Sequence, residues 1–383
     1  MFRTSMIGDL LKLLPREIVR KATREHASDR WRKSFMTWDH LVAMLAAQLT
    51  GRTSLREAEL LLAAHPKHHY HLQCTAVKRS TLADANKTRD HAVFADIAGA
   101  LMARSGRRER DTKAMLSILD SSPIRLDGRG HEWARESVTR HANQGLKVHL
   151  LLAPEEGCLD YASITDMNVN DITEAMNVTI EAGRIYLFDK GYCDYNWWLE
   201  IIEAGSHFVT RLKTNAAWRT REERPVTDRD VLSDRIIELT NKAPRAGKTN
   251  RLAGHPLRLI EIRHPSRKGA TFLILSDMMD ATATEIAALY KRRWDIELLF
   301  KWIKQNLRIK RFLGESRNAI MIQIYVAIIA YLLLRMYRRM LCPTIALSLK
   351  DIADICKTSL FQPVYINPAS TLNDGCPQTE LAL

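Results

Sequence analysis

No two cysteines in these 383 residues are spaced as C-x-x-C. The six present, Cys74, Cys158, Cys193, Cys342, Cys356 and Cys376, are scattered along the chain. That argues against a zinc knuckle or a disulfide framework and for a reducing compartment. The N-terminus, MFRTSMIGDLLKLLPREIVRK, lacks an apolar h-region and carries charges at Asp9 and Lys12, so it is not a secretory signal. No apolar run reaches the ~20 residues of a membrane span. The most apolar stretch, AIMIQIYVAIIAYLLL at 319–334, contains Gln323 and is bounded by Arg317 and Arg335, which predicts a buried core helix in a soluble protein with no membrane partner. There are no internal repeats. His65, His68, His69 and His71 crowd one stretch, but no second ligand cluster completes a metal site, so an exposed loop or helix start is expected there.

What the chain has in excess is positive charge. Its formal net charge is +13 and its pI about 9.5, with a globular composition of 46% apolar and 26% charged residues. The excess favours a polyanionic partner, nucleic acid first, although a basic surface kept for solubility has the same signature. The first 110 residues hold 20 Lys and Arg against 11 Asp and Glu. They also read as helices. Apolar spacing is helical in WDHLVAMLAAQLTG with Gly51 as a stop, and in SLREAELLLAAH with Ser54 as a cap. RSTLADANKTRDHAVFADIAGALMAR predicts one helix from a Ser80 cap to about Arg104. Short helices with a basic face suit a helix-turn-helix-like DNA binder, and equally a plain helical packing domain.

After a basic linker, SGRRERDTK, the period becomes that of strands: 114–120, 146–153, 158–164, 184–189 and 207–212, with helices at about 171–182 and 194–204. This order predicts an α/β sheet layered with helices. Residues 213–270, rich in Pro and Gly, carry strand candidates at 234–240 and 256–263 and read as an inserted, mainly-β subdomain. The strand TFLILSD (271–277) returns to the core, and 343–383 has no strong period and reads as a tail. The expected domains are therefore a helical, DNA-binding 1–110, a catalytic 111–342 with an insertion at about 213–270, and the tail.

Asp120 and Asp189 close the predicted strands MLSILD and IYLFD, and strand ends are where such a sheet gathers its chemistry. Two divalent ions held by carboxylates from separate elements activate a water and stabilise a leaving oxygen in phosphodiester cleavage. A third acid is supplied by YKRRWDIELLFKWIKQNLRIKRF (290–312), read as one basic amphipathic helix. At about 100° per residue, Tyr290, Arg293 and Lys304 lie within roughly 60° of one stripe with Glu297, and Lys301 lies nearby. Cations beside a metal-bound carboxylate take DNA phosphates. A solvated Arg293–Glu297 ion pair is the competing reading.

The spacing Tyr290-x2-Arg293-x3-Glu297-x6-Lys304 resembles the YREK signature of bacterial insertion-sequence DDE transposases of the IS-four type. FDKGYCDYNWW (188–198) resembles the family's second motif, ILDSS (118–122) its first, and HFVTRLKTN (207–215) the approach to its inserted β domain. RSTLADANKTR is similar to the helical region before the core, and the likeness spans roughly 35–340. The resemblance implies a ribonuclease-H-like mixed sheet and catalytic, metal-binding Asp120, Asp189 and Glu297 with Mg2+ or Mn2+. It further implies that Tyr290, Arg293 and Lys304 contact double-stranded DNA at terminal inverted repeats and target, with the neighbouring cation Lys301 as a further expected DNA contact. A homodimer pairing the two ends in a bacterial cytoplasm, at the nucleoid, would follow. One departure is Ser122, where many members carry Thr; the hydroxyl is kept. Trp218, with Arg219 and Arg221, is either a stacking platform for an extruded base or a subdomain core residue. Three functions stay open at this point: a transposase that cuts ends and joins 3′-OH groups to target DNA, a catalytically silent DNA-binding repressor or inhibitor derived from one, and a nuclease without strand transfer.

Overall fold

The computed structural model describes residues 4–107, 115–126, 130–134, 145–155, 157–226, 228–242, 249–263, 270–307, 309, 311–341 and 347–363. The expected linker beyond Arg107, Cys342, Cys376 and the tail beyond 363 lie outside the described residues.

The N-terminal helices are α1 (Met6–Lys12), α2 (Arg16–Glu25), α3 (Thr37–Leu49), α4 (Leu55–Ala63), α5 (Pro66–Leu72), α6 (Arg79–Thr88) and α7 (Ala92–Arg107). Ser54 caps α4 by accepting from Glu57 N at 3.2 Å, and Gly51 ends the turn after α3 with φ +66°. The histidine stretch forms α5, whose His65 and His68 rings lie against Phe361. The helix expected from Ser80 to Arg104 is instead two. Arg89, 1% exposed, turns its guanidinium to Phe35 O (3.0 Å), and Asp90 Oδ1 accepts from Ala92 N to start α7. The buried cation and its backbone acceptors outweigh helical continuity at that point.

A nine-stranded mixed sheet follows: β1 (Met115–Arg125), β2 (Gly145–Ala153), β3 (Cys158–Asp166), β4 (Arg184–Leu187), β5 (His207–Arg211), β6 (Trp218–Arg224), β7 (Val231–Leu239), β8 (Leu257–Arg263) and β9 (Thr271–Ser276), in the order β3-β2-β1-β4-β5-β9-β8-β7-β6. β1, β4 and β5 run parallel to their neighbours among themselves; every other pairing is antiparallel. The stretch expected as an inserted subdomain contributes β6–β8, which do not form a sheet of their own but continue the same one through the β8–β9 pairing. β6 had no apolar alternation to announce it, since all six of its residues after Trp218 are charged or polar.

Strand alternation sorts the sheet faces. Ile118, Leu150, Leu187 and Val209 join the core shared with the helical region. Leu119, Leu151, Tyr186, Phe188 and Phe208 join a second core under α8 (Asp171–Ala175) and α9 (Tyr195–Glu203). The first face is covered by α10 (Ala283–Lys291), α11 (Trp294–Asn306) and α12 (Arg317–Leu341).

α12 is long and apolar enough to cross a membrane, and it is instead packed inside the protein, with every residue from Ala319 to Leu334 buried. It extends beyond the expected stretch at both ends. Gln323, 3% exposed, is satisfied: its amide donates to Arg311 O at 3.0 Å and accepts from Leu313 N at 2.8 Å. α12 packs on α3, α6 and α7. Part of the presumed tail is α13 (Leu349–Ser359), capped by Ser348 and packed on α1, α3 and α12. Cys74, Cys158, Cys193 and Cys356 form no disulfide.

Candidate active site

β1 and β4 lie side by side and parallel, and their last paired residues are Ile118 and Leu187. Two residues beyond that pair stand Asp120, still on β1, and Asp189, just past the end of β4. By alternation Asp120 takes the face of Ile118, which is the face carrying α11. β1 does not stop at Asp120, as the sequence suggested; it runs on to Arg125 because β2 continues to pair with it. Asp120 is thus an end only with respect to β4.

Asp189 is followed by a tight turn, Lys190–Tyr192, whose Gly191 N donates to Asp189 Oδ1 at 2.6 Å. A Cβ at 191 would come 2.7 Å from that oxygen, so the glycine in D-K-G-Y lets the backbone approach its own carboxylate. Tyr192, 1% exposed, packs beside Phe188 and anchors the turn.

Glu297 comes from α11. The single helix expected over 290–312 is broken: Arg293 N bonds Tyr290 O and Asp295 N bonds Arg292 O, three residues back, and the tightened turn separates α10 from α11. This shifts the helical phase. Tyr290 falls out of the stripe and is buried at 5% exposure against Phe272. Arg293 remains in it. Its Nη2 donates to Glu297 Oε1 at 2.7 Å and its Nη1 lies 3.5 Å from Asp120 Oδ2, while its carbon stands 5.9 Å from the Tyr290 ring centroid. One half-buried guanidinium therefore bridges acids from β1 and α11. Lys304 donates to Ser122 Oγ (2.7 Å) and Pro123 O (3.0 Å), tying α11 to β1. Asp120, Ser122, Glu297, Lys304 and the exposed Lys301 line an open cleft of about 430 Å³.

Burial pushes the Asp120 carboxyl from its ordinary 3.8 up to about 7. The Ser121 N–H and Arg293 oppose the rise, and the negative charges of Asp189 and Glu297 add to it. Those two contributions place all three acids within one electrostatic neighbourhood. Among the described residues, however, no three His, Cys, Asp or Glu side chains converge closely enough to hold one ion. Glu297 is turned to Arg293 and Asp189 to Gly191 N. The donor chemistry, carboxylate oxygens with one acid charge-starved by burial, suits a hard divalent cation.

Trp218 is not brought to this cleft. It opens edge strand β6, five strands from β4, and is half-buried against the second core. Arg219 and Arg221 pair with Glu238 on β7. Sequence reasoning missed Asp171, which opens α8 and accepts from Ser121 Oγ (2.9 Å) and Lys147 Nζ (2.8 Å) on the opposite side of the sheet from Asp120. The available signal was Lys147 and His149, two polar residues at strand spacing in the otherwise apolar GLKVHLLLA.

The Transposase DDE domain family matches residues 111–333, spanning β1 through most of α12. A second family, a domain of unknown function designated DUF4372, matches residues 3–72. A transposase-named protein of Sinorhizobium fredii, y4zB, is 40% identical over 265 residues, covering 68% of this chain and 71% of that protein. The chain belongs to the DDE transposase family. As a transposase it is also similar to a protein named for insertion sequence element IS5377 in Geobacillus stearothermophilus, at 25% identity over 61% of this chain and 59% of that one. Its mixed α/β fold with N-terminal helices resembles that of the piggyBac transposase in a synaptic complex with hairpin DNA. The TM-score is 0.51 at 10% identity, over 93% of this chain and 79% of the other.

Proposed function

We propose that this DNA transposase is of the IS-four type with Tyr290, Arg293, Glu297 and Lys304 as its YREK residues. It would cut its element's ends and join the freed 3′-OH to target DNA. The observation that carries the reading is the meeting of Asp120 and Glu297, far apart in the chain, in one cleft where the Arg293 guanidinium contacts both, with the charge of Asp189 also felt at Asp120. The sheet is read as a ribonuclease-H-like core within 111–342, extended at 213–270, behind a DNA-binding 1–110 and ahead of a tail at 343–383.

Mg2+ or Mn2+ would be held by Asp120, Asp189 and Glu297, where such ions lower the pKa of a bound water and neutralise a leaving oxygen. The chain's own residues set the conditions for this. Burial of Asp120 keeps it poorly solvated, so a proton or a cation must neutralise it. Arg293 supplies part of that charge and also holds the orientation of Glu297. A DNA phosphate entering the cleft would give Arg293 a bidentate partner of its own, releasing Glu297. Lys301, exposed on the rim, is the natural first contact for the phosphate backbone. Lys304 fixes the β1–α11 distance through Ser122. Tyr290 supports Arg293 from below and is too buried to grip DNA itself. Two ends must be held together for paired cutting, so the working form is taken to be a homodimer, acting at the nucleoid.

A silent DNA binder has no use for a buried, destabilising carboxylate such as Asp120, which favours the enzyme over the repressor reading. The test that separates transposase from plain nuclease uses a duplex carrying the element's terminal repeat, a supercoiled target plasmid and Mg2+. Joined repeat–plasmid products support the proposal; nicked repeat with no joined product refutes strand transfer.

A further inference from the structure

The segment between α2 and α3 has three non-glycine residues in the left-handed region: Ala27 (φ +46°), Trp31 (+64°) and Phe35 (+55°). A bulky residue there is strained, and three within nine residues persist only if the surroundings impose them. They do. Asp29 Oδ1 accepts from Thr37 N and Thr37 Oγ1, each at 2.7 Å, and from Arg89 Nη2 at 3.3 Å. Arg89, buried, also donates to Phe35 O, and Arg32 Nε to Ser28 O at 3.1 Å. Phe35 is buried at the far end of the loop.

What this rigid frame presents is Trp31, 89% exposed, the most exposed large apolar side chain among the described residues. Arg30 stands beside it, its guanidinium carbon 5.2 Å from the ring centroid, and Lys33 is exposed two residues on. Asp29 of the loop is engaged within it, and Asp96 is paired with His26 at 2.6 Å. An indole held out in water gains nothing for the fold. A flat apolar ring between cations matches a nucleic-acid base step with its two flanking phosphates.

We propose that the Ala27–Phe35 loop is a preorganised DNA contact in which Trp31 wedges into a base step of duplex DNA while Arg30 and Lys33 hold the neighbouring phosphates. The proposal rests on the reading of this transposase as a binder of element ends, and assigns that binding to a specific feature of the N-terminal helices.

The test uses the full chain, a labelled terminal-repeat duplex with 2-aminopurine at successive positions, and a scrambled duplex of equal length. Wild type is expected to bind and to raise 2-aminopurine fluorescence at one step. Trp31→Ala and Trp31→Gly should weaken binding by about tenfold or more and abolish that signal, with the salt slope unchanged. Trp31→Phe should restore most of both. Arg30→Ala with Lys33→Ala should lower the salt slope by about two. Trp31→Gly should melt at or above wild type, because glycine adopts φ +64° without strain. Wild-type binding by Trp31→Ala and Trp31→Gly overturns the inference while leaving the transposase reading intact. So does a fall in melting temperature that accounts for the lost binding, or a loss of self-association with DNA binding unchanged, which would make the loop a protein contact. Failure of the wild type to bind either duplex overturns both.

Discussion

Asp120 and Asp189 each stand two residues beyond the same register pair of adjacent parallel strands, Ile118 and Leu187: Asp120 is still on β1, and Asp189 is just past the end of β4. Parallel pairing brings the ends of β1 and β4 side by side, so two acids 69 positions apart in sequence approach each other, and the turn at Gly191 then holds the Asp189 carboxylate. The third acid depends on a helix that must be held against β1, and Lys304 and Arg293 are the residues that do so.

The burial of Asp120 predicts a pH dependence. Its carboxyl is raised from 3.8 to about 7, so the native state binds this proton more tightly than the unfolded chain. The stability this contributes is fully present below about pH 4 and is lost as pH rises through about 7. In EDTA, Asp120→Asn should therefore melt at the wild-type temperature at pH 4 and higher than wild type at pH 8. The gain should be on the order of 2–4 kcal/mol in urea unfolding. An Asn variant less stable than wild type at pH 8 would show that the Arg293 contact outweighs burial.

The row around Glu297 should divide by role. Arg293→Ala should weaken binding of terminal-repeat DNA and lower its salt slope by about one. Tyr290→Phe should leave the slope alone, because the buried ring that supports Arg293 is kept. Lys304→Ala should cost about 1 kcal/mol of stability through its lost bonds to Ser122 and Pro123. Equal salt slopes for wild type and Arg293→Ala would make Arg293 a structural partner of Glu297 and no more.

Much of this site was legible because strands and acids leave simple marks. Eight of the nine strands have apolar or alternating runs, and the period placed Asp120 on β1 and Asp189 just past β4, although β1 runs on beyond Asp120. What failed to show was decided by contacts between distant residues. The helix break at Arg292–Arg293 follows from backbone bonds that periodicity does not encode, and it buries Tyr290. The split at Arg89 depends on acceptors at Phe35 and Met36, more than fifty residues earlier. β6 is a polar edge strand, visible only through its pairing with β7. Asp171 belongs to the site's far side by virtue of Ser121 and Lys147, neither near it in sequence.

The sheet extension carries a buried ion pair. Arg258 grips Asp234 through two bonds, Nε to Oδ1 at 2.8 Å and Nη2 to Oδ2 at 2.5 Å, both side chains under 5% exposed. Asp234→Ala should destabilise by about 3–5 kcal/mol, because the guanidinium is left buried without its counter-charge. Chemical denaturation gives the value directly. A loss under about 1 kcal/mol would mean that water reaches Arg258 once Asp234 is removed.

The most direct measurement is Mg2+-dependent cleavage of a labelled terminal-repeat duplex by wild type, Asp120→Asn, Asp189→Asn and Glu297→Gln, with gel-shift binding measured on the same preparations. Each substitution keeps shape and removes one charge. The account predicts that all three variants bind within about threefold of wild type and cleave at background, since metal-assisted cleavage requires every carboxylate. Cleavage at the wild-type rate by any one of them, in a folded protein that binds the duplex, would contradict it.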